Sequence, residues 1–214
     1  MKLQAALDTL TVEECVKLLK ECGNSIDIAE IGTPFVIEEG MRPVRLFKEQ
    51  FPDIEVLADV KIMDAGEYEA DKCFAAGADI CTVLGVSNNA TIEGVVRSAK
   101  AHGRKVMVDM IEVKNLAERA AEIDQMGVDY ICVHTAFDVQ ASGKDPLNDL
   151  KTINRVLKHA RSAVAGGVKL ATIDAIAGEG AAIIVVGGAI CNAPDRAAAA
   201  QELKAHIRAA EAVK

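Results

Sequence analysis

Tryptophan is absent from this chain, and aromatic residues make up only 3% of it. A core built around large rings, as in many β-sandwiches, is therefore excluded. Ala, Val and Ile are abundant instead, which suits tightly layered strands and helices. No basic excess exists: the formal net charge is −8. A general nucleic-acid surface needs a basic stripe, so that class is set aside. A small anionic ligand is still allowed, because the local field of a site can oppose the global charge. No run approaches the roughly 20 apolar residues of a membrane span. The opening residues, "MKLQAALD", carry one early Lys and no long apolar stretch followed by a cleavage site. A cytoplasmic location is the expectation. The six cysteines show neither a CxxC pair nor zinc spacing. Buried free thiols are expected of them.

What is present is alternation. Strand-like apolar runs are read at Lys2–Leu7, Ile26–Ile31, Glu55–Val60, Asp79–Leu84, Lys105–Met110, Tyr130–His134, Ser162–Ala165 and Ala182–Val186. Amphipathic segments separate them. The first, "TVEECVKLLKEC", has Thr11 as its cap and Glu14 three residues later to close a capping box. Gly77, Gly103 and Gly127 stand where left-handed helix ends belong, just before the next strand. Eight strand–helix units without a linker or low-complexity segment predict a single-domain (β/α)8 barrel over residues 1–214. The competing open doubly wound sheet usually has a Gly-rich first turn, whereas this one reads "LDTLT".

In such a barrel the active site lies at the C-terminal ends of the strands. There the strands end in Asp8, Glu30, Asp59 with Lys61, Asp109 and His134. Strands seven and eight end instead in Gly166-Gly167 and Gly187-Gly188. No matching cluster is read at the N-terminal ends. Period-two alternation puts Leu57, Asp59 and Lys61 on one face of strand three, with Ala58 and Val60 on the other. The glycine pairs fit a backbone phosphate cradle after strands seven and eight, although tight turns alone would also use glycine. Glu30 and Asp59, on adjacent strands, could share a hard divalent cation such as Mg²⁺, or could form a charge network with Lys61. His134 suits proton transfer among so many acids, though a lone strand-end His can also be structural.

Taken together, "AALD", "EIGTPFVIEEG", "ADVKIMDAGEYEA", "TVLGV", "VDM", "VHTAFDVQASGKDPLNDL", "VAGGV" and "VVGGAI" resemble the 3-hexulose-6-phosphate synthases of the orotidine 5′-phosphate decarboxylase suprafamily. The resemblance spans essentially the whole chain. It implies an aldehyde-lyase that joins formaldehyde to D-ribulose 5-phosphate through an enediolate. It also implies that Glu30 and Asp59 hold Mg²⁺, that Lys61 stabilises the enediolate and that His134 moves the proton. Asp8 and Asp109 would bind substrate hydroxyls and position Lys61, and Gly166, Gly167, Gly187 and Gly188 would cradle the phosphate. Asp64 would reach the site of a second subunit in a homodimer.

The related 3-keto-L-gulonate 6-phosphate decarboxylases resemble "HRSRD" where this chain has "HTAFD", with Phe137 in place of the second Arg. They also tend to carry Glu at the position of Asp109. A non-catalytic sugar-phosphate-binding barrel is the alternative of another class. Lys144, in the loop after strand six, could touch a substrate, but a solvated loop lysine is commoner.

Overall fold

The computed structural model describes residues 1–140, 143 and 145–212 of the chain. Eight parallel strands close into a barrel in sequence order, β1 pairing with both β2 and β8. They are β1 (Lys2–Ala6), β2 (Ile28–Ile31), β3 (Glu55–Ile62), β4 (Ile80–Leu84), β5 (Lys105–Asp109), β6 (Tyr130–His134), β7 (Arg161–Ala165) and β8 (Ile183–Val186). Every expected strand is present, β6 with the bounds expected and the others with an end moved by one or two residues.

Two apolar layers result from the alternation. Residues such as Ala6, Ile28, Leu57, Ile80, Met107 and Tyr130 fill the barrel interior. Their neighbours in sequence, such as Ala5, Ala29, Val56 and Val108, meet the surrounding helices. Small side chains on β7, Ala163 and Ala165, share the interior with larger ones such as Leu57, Met107 and Tyr130.

The first helix shows how local chemistry sets an element. Helix α1 (Val12–Cys22) begins at Thr11, whose hydroxyl accepts from the Glu14 N–H at 3.2 Å. The Glu14 carboxylate accepts in return from the Thr11 N–H at 3.0 Å. Val12, Cys15, Leu18, Leu19 and Cys22 fall at helical spacing and are the residues it buries. Each fully buried Leu contributes about 1.5–3 kcal/mol. Gly23, at φ +54°, ends it. All six cysteines are buried and free, as expected.

One expectation fails at the N-terminal end of the barrel, which is as charged as the mouth. Lys2 and Lys105 both pair with Glu55, Lys48 and Arg104 with Asp79, and Lys204 with Asp27. Here acid and base are matched, so the charges brace the barrel. The aspartates just before β2, β4 and β6 repeat one device. Asp27, Asp79 and Asp129 each accept a backbone N–H from the second residue of the preceding strand, Leu3, Val56 and Val106, at 2.7, 2.9 and 2.8 Å. Before β8 the place is taken by Ala182. The distinction between the two ends is pairing, which a linear sequence does not display.

Candidate active site

At the opposite end, the ends of β2, β3, β5 and β6 bring Glu30, Asp59, Asp109 and His134 to one mouth. Glu30, Asp59 and Asp109 are 7, 6 and 5% exposed. Burying carboxylates this deeply requires partners. Asp59 has three: the hydroxyl of Thr82 donates to Oδ1 at 2.8 Å, that of Thr33 to Oδ2 at 3.0 Å, and the Lys61 ammonium pairs with Oδ2. Lys61 Nζ also donates to Thr33 Oγ1 at 3.1 Å and lies 3.7 Å from Asp109 Oδ2. His134 Nδ1 is 2.9 Å from the same Asp109 oxygen. The Ile111 N–H donates to Asp109 Oδ1 at 2.9 Å. Asp59, Lys61, Asp109 and His134 therefore form one connected chain.

Lys61 does not reach this chain by simple alternation. The register runs from Ala58 opposite Cys81 to Ile62 opposite Val83, so four steps on β3 match two on β4. Within that bulge Lys61 adopts φ +48°, the left-handed region that a non-glycine residue enters rarely. The alternation expected for strand three holds as far as Asp59 and then breaks.

Glu30 is held from below. Gln4, 1% exposed on β1, donates through Nε2 to Glu30 Oε2 at 2.6 Å, while its own Oε1 has no partner among the described residues. Burial first, and then the charges of Asp59 and Asp8, push the Glu30 carboxyl well above the ordinary range. Asp8 is raised as well, by desolvation and then by Asp59. It lies against Gly32, where a Cβ would fall 1.4 Å from Asp8 Oδ1, so only glycine at 32 lets the carboxylate sit there. Asp109 moves the other way. Burial alone would raise it, but His134, Lys61 and the Ile111 N–H hold it below the ordinary value. Burial likewise lowers Lys61, yet Asp59 and then Asp109 outweigh it, and the ammonium is the more firmly protonated for it. Among the described residues the mouth thus holds four carboxylates against one ammonium and one imidazole.

The glycines prove unequal. A Cβ on Gly166 would fall 2.1 Å from the Thr135 carbonyl oxygen, and Gly166 and Gly167 adopt φ +90° and +74°. Close packing and backbone conformation therefore demand glycine at the end of β7, whatever binds there. Gly187 and Gly188 meet only ordinary or mildly tight neighbours, Ala6 and Asn192. They leave open backbone at the end of β8.

Asp64 stands apart. Its carboxylate accepts from the Ala65 N–H at 2.8 Å and joins none of the residues above. It lines a separate cleft of about 1050 Å³ with Ser87, Asn88, Lys114 and Arg119. Lys144 lies outside the described residues. Sequence reading missed Gln4, Thr33 and Thr82, since a strand glutamine or threonine carries no motif of its own.

Comparison with known proteins now bears on this constellation. Residues 1–203 match the model of the orotidine 5′-phosphate decarboxylase / HUMPS family. The chain belongs to that family. Within the family it is 50% identical over 204 residues to a 3-hexulose-6-phosphate synthase of Bacillus subtilis, covering 95% of this chain and 97% of the relative. The crystal structure of 3-hexulose-6-phosphate synthase from Salmonella typhimurium superposes with a TM-score of 0.95 at 43% identity, covering 98% of this chain and all of that one. Family membership at this similarity makes the chain an enzyme of the aldehyde-lyase type. A crystal structure of 3-keto-L-gulonate-6-phosphate decarboxylase from Vibrio cholerae shares the fold, at 22% identity and a TM-score of 0.83 over 98% of this chain and 96% of that one. No helix among the described residues is long and apolar enough to cross a membrane.

Proposed function

We propose that the chain joins formaldehyde to D-ribulose 5-phosphate to give D-arabino-hex-3-ulose 6-phosphate, reversibly and through an enediolate. The observation that carries this reading is the Asp59–Lys61–Asp109–His134 chain at the barrel mouth, in a protein half identical to a synthase of that name. His134 would take the proton from C1 of the ketose, its Nδ1 fixed by Asp109 and its other ring nitrogen left for substrate. The C1–H electrons pass into the enediolate, which Lys61 stabilises as charge builds on oxygen. C1 then bonds to the formaldehyde carbon, whose oxygen is protonated as the product hydroxymethyl group.

The donor set fits Mg²⁺. Glu30 and Asp59 are hard oxygen ligands, and burial, then the charges of Asp59 and Asp8, raise the Glu30 carboxyl, a tension that a cation would relieve. Among the described residues no three acidic, His or Cys groups form a cage, so two carboxylates, water and substrate oxygens would complete the shell. When bound, the ion would supply charge stabilisation to the vicinal oxygens of the ketose. Asp8 would contact substrate hydroxyls, and the glycines at the ends of β7 and β8 would receive the phosphate. A homodimer with Asp64 serving the second subunit is supported by its separation from the chain's own site and by exposed Met63, Tyr68 and Val86 on neighbouring segments.

The experiment is to follow formaldehyde with ribulose 5-phosphate and Mg²⁺, with and without a chelator. Consumption that requires both sugar phosphate and metal is the expected result. No consumption sinks the aldol reading and directs the next assay to CO₂ release from 3-keto-L-gulonate 6-phosphate.

A further inference from the structure

Thr82 stands opposite the bulge of β3, the one β4 residue between the register partners Cys81 and Val83. A parallel ladder loses regular hydrogen bonds where one strand carries extra residues. The Lys61 N–H is left inside that gap, and a buried N–H without a partner is costly. Thr82 supplies the missing acceptor: its Oγ1 receives the Lys61 N–H at 3.0 Å. The same hydroxyl has a single hydrogen, and it goes to Asp59 Oδ1 at 2.8 Å. Both capacities of one buried side chain, 3% exposed, are thereby committed.

The two bonds act together. One holds Lys61 in its left-handed conformation, which persists only where its surroundings over-determine it. The other turns the Asp59 carboxylate so that Oδ2 remains for the Lys61 ammonium and Thr33. Thr33 touches the same carboxylate and Nζ, whereas the Lys61 N–H goes to the Thr82 hydroxyl. A threonine is at home on any strand, so its presence alone would mean nothing. The hydroxyl's double engagement is what goes beyond strand propensity.

We infer that Thr82 is a positioning residue for the reaction, its hydroxyl locking the β3 bulge so that the Lys61 ammonium and the Asp59 carboxylate are presented together at the mouth. This rests on the aldol reading for its kinetic consequence and on the hydrogen bonds alone for its structural one.

Thr82→Val keeps the shape and removes the hydroxyl, whereas Thr82→Ser keeps the hydroxyl and removes the methyl. The valine variant is expected to lose about a hundredfold in kcat, with KM for ribulose 5-phosphate within about threefold, and the serine variant to recover most of kcat. Amide hydrogen exchange at Lys61, read by NMR in the full chain, should quicken in the valine variant and not in the serine one. A threonine that served only packing would lower the melting temperature of both variants and leave kcat of the folded enzyme alone. Wild-type kcat in Thr82→Val, equal losses in both variants, or unchanged Lys61 exchange each overturns the inference. Thr82→Ala takes the place of the valine variant should that one fail to fold. If the wild type consumes no formaldehyde, the aldol reading has failed, and the exchange measurement still decides the role of Thr82.

Discussion

His134 Nδ1 lies 2.9 Å from Asp109 Oδ2, an oxygen that the Lys61 ammonium approaches to 3.7 Å. Asp109 thus orients the imidazole and the ammonium at once, while its own carboxyl is held ionised. Removing the base should show in turnover. For His134→Ala, kcat is expected to fall by about 10²–10⁴-fold with little change in KM, as measured by formaldehyde consumption. A variant with native kcat would place the proton transfer elsewhere.

The raised Glu30 carboxyl makes a prediction about stability that opposes the one about activity. A folded-state pKa above the ordinary 4.5 favours the fold below that pH, and the benefit is lost as pH rises through the raised value. Glu30 therefore costs the metal-free protein stability at neutral pH, where the unfolded chain holds this carboxyl ionised. In chelator, Glu30→Gln should melt higher than wild type near neutrality, and the gap should shrink towards pH 4.5. Its turnover should nevertheless collapse. Calorimetric melts across pH would read the sign directly, and a variant less stable at neutral pH would contradict it.

Beneath Glu30, the Gln4 amide is the hydrogen-bond donor that supports that carboxylate. Gln4→Met fills the same space with an apolar side chain and frees Glu30 Oε2. Ligand-orienting partners of this kind are typically worth about 10–100-fold in metal affinity. Mn²⁺ titration followed by electron paramagnetic resonance of the folded variant should show a loss in that range. Equal affinity in the two proteins would leave Gln4 with a packing role only.

Asp124, 1% exposed at the end of its helix (Leu116–Asp124), accepts from the N–H groups of Lys158, His159 and Ala160, the turn that leads into β7. Burial would raise its carboxyl, but these three donors hold it below the ordinary 3.8. Asp124→Ala strands all three, and at about 1–3 kcal/mol for each unsatisfied group the loss should reach about 3 kcal/mol or more in urea unfolding. Because the pKa is depressed, the stabilisation is complete above pH 3.8 and fades as pH falls through the folded value. An acid-unfolding midpoint unmoved by Asp124→Asn would contradict this.

If Asp64 serves a second subunit, two dead variants should rescue each other. Asp64→Ala and Asp59→Ala, unfolded together and refolded as a mixture, would form heterodimers with one complete site each, restoring about a quarter of wild-type sites. Ultracentrifugation establishes the dimer independently. Dimers that form but stay inactive would confine Asp64 to its own chain.

Much of this molecule is written in local pattern. Each strand is a short apolar run with period two, each helix an amphipathic stretch, and both signals arise from neighbours a few residues apart. Eight such units in alternation leave few ways to bury every apolar face, so the barrel was legible before any coordinates. The residues that gather at the mouth were legible for a related reason. Asp59, Asp109 and His134 end core strands, and a charge there is too costly to bury unless it has work to do.

What the tertiary structure alone decided depends on pairing between segments distant in the chain. The bulge that carries Lys61 exists only against β4, and Thr82 becomes its clamp only because that strand lies opposite. Gln4 meets Glu30 by the register of β1 with β2. Gly166 is required by the Thr135 carbonyl, which no reading of "VAGG" could reveal. The charges of the N-terminal end resemble those of the mouth until Glu55 is seen between Lys2 and Lys105. A sequence shows which groups are expensive to bury, and folding shows which of them found partners.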